Sequence, residues 1–176
     1  EFVLQDCYCL LGPGYALLRD EFIAEKRTHQ QRNGNGRIKR ILVFMGGMDM
    51  DNTTEAALKG LMSLPDQDLI VDVIVGLNNP NRERIASLCT YDKRFNFECQ
   101  VDDMAVRLNV VDLVIGAGGS TSWERCLLGV PSILVVMAEN QRQISDCLQD
   151  IGAVIVAGDS SSVTSEQIAT IVSDLK

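Results

Sequence analysis

The run Gly116-Ala-Gly-Gly-Ser-Thr-Ser-Trp-Glu124 follows a β-branched stretch and opens an amphipathic helical pattern. A glycine-rich turn at a helix start is an anion site, because the backbone approaches the ligand closely and the free amides and dipole of the first turn favour a phosphate. Glu124 falls one helical turn further in, where its carboxylate can accept hydrogen bonds from ribose hydroxyls while a diphosphate rests on the preceding amides. Together these residues point to a nucleotide or nucleotide-sugar pocket.

Other residues have two readings each. Gly46-Gly47 follows an apolar run and precedes Asp49 to Asn52, which suits either a second phosphate-facing turn or a strand-to-helix turn capped by Asp or Asn. Asp49-Met-Asp51 also matches a DxD metal pattern, but these acids are explained as cap and first-turn residues, and no metal is expected. Val101-Asp-Asp-Met104 offers a main-chain amide and carbonyl to a base, or is simply a helix start. Glu139-Asn140-Gln141 supplies polar side chains at the same edge, or a helix cap. His29, the only histidine, lies in a polar run and is read as exposed and nonfunctional. Trp123 and Tyr15 are read as packing residues.

The elements that must position these residues alternate from about residue 38 onward. Strands are expected at 40–45, 69–75, 95–99, 112–115, 132–136 and 153–156, with helices near 53–63, 81–90, 103–109, 121–129, 140–151 and 164–175. Such alternation predicts an α/β fold, a Rossmann-like parallel sheet with helices on both faces. Ligands bind beyond the carboxyl ends of such strands, where the Gly116 to Ser120 segment falls. The first 37 residues differ: the stretch from Glu25 to Arg37, with Asn33-Gly-Asn-Gly36, reads as a surface loop or linker. The chain opens inside an apparent strand, Phe2-Val-Leu4, without an initiator Met, and reads as an excised domain.

A length of 176 residues suits one α/β domain, and 46% hydrophobic with 5% aromatic residues fits a sheet of Val, Ile and Leu. A net charge of −8 argues against duplex nucleic acid as a partner. No window is long and apolar enough to cross a bilayer, so no membrane role and a cytoplasmic location are expected. The six cysteines, at 7, 9, 89, 99, 126 and 147, lack paired zinc spacing and read as reduced, mostly buried thiols.

Taken together, Leu11-Gly-Pro-Gly-Tyr-Ala-Leu-Leu-Arg-Asp-Glu-Phe22, Gly46-Gly47 with Asp49 and Asn52, Gly116 to Cys126, and Ala138-Glu-Asn-Gln141 resemble the UDP-sugar hydrolase family of pseudaminic acid biosynthesis. That family removes UDP from UDP-2,4-diacetamido-2,4,6-trideoxy-altropyranose. The resemblance runs over nearly the whole chain and is most specific from Gly116 to Cys126. More distantly, Val101-Asp-Asp-Met-Ala105 and the Glu124 region are similar to the UDP-GlcNAc transferase of peptidoglycan synthesis. Both families have the GT-B architecture, two Rossmann-like domains facing across a cleft.

The resemblance implies a C-terminal half: residues 1–37 an interdomain segment and linker, residues 38–176 the nucleotide-sugar-binding domain, and the N-terminal catalytic domain absent. It implies that Glu124 holds the ribose hydroxyls, Gly118, Gly119, Ser120 and Thr121 the diphosphate, and Val101 with Met104 the uracil. Asn140 and Gln141 would reach the sugar or phosphates, and Gly46 and Gly47 would form the second substrate-facing turn. The partners implied are a UDP-sugar and the missing domain, with no cofactor. No catalytic residue is expected here, because the family's water-activating histidine lies in the N-terminal domain. The sequence departs from the family at Met48, where a serine is usual, and it stops before the usual Gly- and Arg-containing tail.

Three alternatives stand beside the hydrolase. One is a GT-B glycosyltransferase half, and another is a non-enzymatic nucleotide-binding module. The third, a dinucleotide-dependent oxidoreductase, has Gly116-Ala-Gly118 and an acid about 20 residues on, but Thr121 stands in the third glycine position.

Overall fold

The computed structural model describes residues 7–10, 12–28 and 37–176, with the backbone alone at 27 and 28. His29, Asn33 to Gly36 and the expected strand at Phe2 to Leu4 lie outside the described residues. The strands are β1 (Arg40–Phe44), β2 (Ile70–Val75), β3 (Phe95–Cys99), β4 (Leu113–Ala117), β5 (Ser132–Val136) and β6 (Val154–Asp159). The helices are α1 (Asp20–Thr28), α2 (Thr53–Met62), α3 (Arg82–Cys89), α4 (Met104–Val110), α5 (Thr121–Leu127), α6 (Arg142–Asp150) and α7 (Ser165–Asp174).

The six strands form one sheet in the order β3-β2-β1-β4-β5-β6, and every neighbouring pair is parallel. Parallel strands need crossover helices, which cover both faces and explain why these strands are continuously apolar. Alternate residues divide between the layers. Ile41, Val43, Val73, Ile115 and Val135 pack with Leu58 and Leu61 of α2, Ile85 of α3 and Ile168 and Val172 of α7. Leu42, Ile74 and Val114 pack with Phe22 of α1, Met104 and Leu108 of α4, and Leu128 at the end of α5. The strand order reverses between β1 and β4, so the turns after both strands meet at the topological switch point, the preferred ligand edge of such a sheet.

Several expectations need correction. Glu25 to Thr28, read as part of a surface loop, is the last turn of α1. That helix is polar, and among its described side chains only Phe22 is fully buried, so tertiary packing rather than periodicity makes it. Tyr15, read as a packing residue, is exposed, as are Cys7, Cys9, Cys126 and Cys147; only Cys89 is buried. The helix expected from 140 starts at Arg142, after a 3₁₀ turn over Glu139–Gln141.

Candidate functional site

β4 ends in Gly116 and Ala117, both buried in the sheet, so the turn proper is Gly118, Gly119 and Ser120, and α5 begins at Thr121. Among the described residues, the amides of Gly119, Ser120 and Thr121 donate to nothing, and Ser120 does not cap α5 with its side chain. The turn after β1 is different. Asp49 is fully buried and its carboxylate accepts from the Thr53 amide at 2.8 Å and the Thr54 amide at 2.7 Å. The amino end of α2 therefore carries its own anion, whereas the amino end of α5 presents open donors.

Gly116 at the end of β4 and Gly118 in the turn are required by what lies behind them. A Cβ at Gly116 would stand 2.7 Å from both Nη1 of Arg125 and the Phe44 carbonyl, and one at Gly118 would stand 2.2 Å from Oγ of Ser145. Gly119 alone is open, with Nε2 of Gln141 its nearest neighbour at 3.6 Å. Arg125 is buried beneath the turn, where Nη2 donates to the Ala117 carbonyl at 2.7 Å and to Ser122 Oγ at 2.9 Å. Burial pushes this guanidinium down to about 10, which leaves it charged at neutral pH. Its Nε and the Ser145 hydroxyl, both buried, have no partner among the described residues. A buried cation under open amides gives the turn a positive potential.

Glu124 is buried on the first turns of α5. Arg19, just before α1, donates to it twice, Nε to Oε1 at 2.8 Å and Nη2 to Oε2 at 3.2 Å. The Glu124 hydrogen bond raises the Arg19 pKa. Met104, Thr121, Glu124 and Arg125 line one narrow cleft with Phe44, only about 10 Å³ in volume, and Val101 packs on the apolar cluster that holds Met104. The fold thus brings the expected base-side and ribose-side residues together. Gln141 joins them from the far side of the turn, with Oε1 accepting from the Met137 amide at 3.1 Å, while Asn140 beside it is exposed. Gly46 and Gly47 are not among the residues that line this cleft; Gly47 backs onto Gly76, whose Cβ would meet the Gly47 carbonyl at 2.3 Å. Asp51 accepts from the Ser160 hydroxyl, and among the described residues no group of three or more His, Cys, Asp or Glu could hold a metal.

Sequence reasoning did not single out Arg19, Arg125 or Ser145. Arg19 and Arg125 lie inside the two segments that carry the resemblance, but nothing in local spacing shows that they close on Glu124 and Gly116. A larger cavity of about 480 Å³ opens on another side of α5, against Trp123, Leu127 and Ile151. Its lining is apolar and includes none of the candidate residues, so it offers no groups to orient a nucleotide. Trp123 packs there, as expected of a packing residue.

Residues 40–174 match the glycosyltransferase family 28 C-terminal domain. The chain belongs to this family. The match begins with β1 and ends with α7, so this family 28 domain contains the whole sheet and both glycine turns, while α1 lies before it. The chain is 32% identical over 138 residues to an uncharacterized protein of Methanocaldococcus jannaschii, covering 77% of the chain and 28% of that protein. It is 26% identical over 148 residues to the spore coat polysaccharide biosynthesis protein SpsG of Bacillus subtilis, covering 84% of the chain and 43% of that protein. The family 28 domain thus spans less than half the length of either relative. Among solved structures it superposes on MurG of Acinetobacter baumannii with a TM-score of 0.65 and 20% identity, over 88% of the chain and 44% of MurG, a likeness of fold.

Proposed function

We propose that this chain is the nucleotide-sugar-binding domain of a GT-B enzyme that uses a UDP-sugar, and that the reaction is transfer of the sugar to an acceptor alcohol. The observation that carries this reading is the contrast at the switch point. The α2 end is closed by Asp49, while the α5 end has three open amides above a buried guanidinium, with a carboxylate in the adjoining cleft. In this reading the diphosphate lies on the amides of Gly119, Ser120 and Thr121, with Gly118, whose own amide donates to the Val135 carbonyl at 3.1 Å, as the base of the turn; the ribose lies on Glu124 and the uracil beside Val101 and Met104. Asn140 and Gln141 reach toward the sugar, and Gly46 and Gly47 line the neighbouring edge. Membership of family 28 and the relative named for spore coat polysaccharide biosynthesis support a sugar-nucleotide enzyme.

Breaking the bond between the anomeric carbon and UDP leaves negative charge on the diphosphate. Fixed amides aimed at that charge stabilise it without reorganising, and Arg125 beneath them adds to the same field. The nucleophile and its base belong to a second domain, with residues 1–37 as the connection and 38–176 as the nucleotide domain. A second reading, hydrolysis with water in place of the alcohol, is favoured by the specific resemblance of the Gly116 to Cys126 block to the pseudaminic acid pathway hydrolase.

The test is calorimetric titration of the chain with UDP, ADP and NADH. UDP is expected to bind selectively, and Glu124→Ala to weaken it roughly tenfold through two lost hydrogen bonds. Equal binding of ADP, or an unchanged Glu124→Ala affinity, would overturn the assignment. Product analysis with a two-domain relative separates the reactions: a sugar joined to the acceptor means transfer, and free sugar means hydrolysis.

A further inference from the structure

The carboxylate assigned to the ribose is already paired within the chain. Nε and Nη2 of Arg19 take one oxygen each of Glu124, at 2.8 and 3.2 Å. A guanidinium fork and a vicinal diol offer a carboxylate the same thing, a pair of donors, so they compete for the same two atoms. The pair is unequal in freedom. The Glu124 side chain is 9% exposed and fixed by packing, whereas that of Arg19 is 55% exposed. Arg19 also has somewhere to go: Nη1 lies 3.0 Å from Glu21, and the guanidinium rests over the Phe22 ring at 4.6 Å. Displacement therefore strands no unpaired charge in a low-dielectric interior.

We propose that Arg19 is a latch on the nucleotide site: it holds Glu124 in the ribose position while the site is empty, and the nucleotide must displace it to bind. The proposal rests on the UDP reading, through the role given to Glu124. The latch has two effects. It keeps the carboxylate oriented for a pair of donors, and it lowers affinity, because part of the interaction with the ribose is offset by the pair that breaks. It also makes the segment before α1 respond to an occupied site.

The experiment is calorimetry with UDP on the chain itself, as wild type, Arg19→Ala, Glu124→Ala and the double variant, with thermal melts to confirm folding. Arg19→Ala is expected to bind UDP about fivefold tighter, the scale of a partly exposed ion pair. Arg19→Lys, which keeps the charge without the fork and guards against a local folding defect, should fall between. In the Glu124→Ala background, removing Arg19 should change nothing. If Arg19→Ala binds no tighter than wild type while Glu124→Ala binds more weakly, the latch is wrong and the ribose assignment stands. An equal gain in both backgrounds would place the action of Arg19 elsewhere and also overturn the latch. If no variant binds UDP, or Glu124→Ala binds as well as wild type, the nucleotide reading fails and the latch fails with it.

Discussion

Gly118 shows how a residue type can be read correctly for its place and differently for its cause. In sequence it belongs to a turn whose glycines admit a phosphate; in the structure its missing Cβ makes room for Ser145 on α6, whose hydroxyl would stand 2.2 Å away. That hydroxyl is buried without a partner, an unfavourable state for a polar group. Gly118→Ala should therefore cost roughly 2 kcal/mol by overpacking. Ser145→Ala should be neutral or slightly stabilising, because it removes an unsatisfied group. The double variant should recover most of the loss, because the alanine methyl then has no oxygen to meet. Urea midpoints of the three variants measure this coupling, and purely additive changes would mean that the two residues do not meet.

At the scale of elements, the amino end of α2 is a closed electrostatic unit. Besides the Asp49 cap, Glu55 pairs with Arg84 at 2.6 Å and with Lys59 at 2.9 Å. Hydrogen bonds from Arg84 first, then from Lys59 and Asn52, hold the Glu55 carboxyl down at about 2. Because this folded value lies below the ordinary 4.5, the associated stability is fully present above pH 4.5 and drains away as pH falls toward about 2. Glu55→Gln should flatten that part of the acid unfolding profile and leave the alkaline side unchanged. α1 depends on a different kind of contact, the burial of Phe22 against α4 and α5. Phe22→Ala should cost about 3 kcal/mol or more in stability and speed amide exchange across Asp20–Thr28. Unchanged exchange there would show that the helix holds without its anchor. The sequence showed the six strands because each carries its own apolar run between turn residues, but α1 has no such run, and only the surface it lands on makes it stable.

For the whole molecule, the proposed reading makes the carboxyl edge of the sheet one wall of a site. The chain spans 28% and 43% of the lengths of its two relatives. In the proposed reading the nucleophile stands on another domain, so the chain alone should bind UDP yet release little or no UDP from a UDP-sugar. Chromatographic assay of UDP release checks this, and steady turnover by the chain alone would place the base among its own residues. The net charge of −8 does not oppose phosphate binding, since three amides and one buried guanidinium act at short range while the surface charge is screened.

By itself the sequence determined the doubly wound sheet, the glycine turns at its carboxyl edge, and the acid one turn into α5. These features are written in local periodicity and in residue types with a narrow conformational meaning, so a short window suffices to read them. The tertiary structure decided the rest. It placed β1 beside β4 so that the two turns meet, folded Asp49 back to close one of them, set Arg125 under the other, and brought Arg19 across 105 positions of chain to Glu124. Such pairings follow from which faces pack and how closely, and that is a property of the assembled core, which no single segment carries.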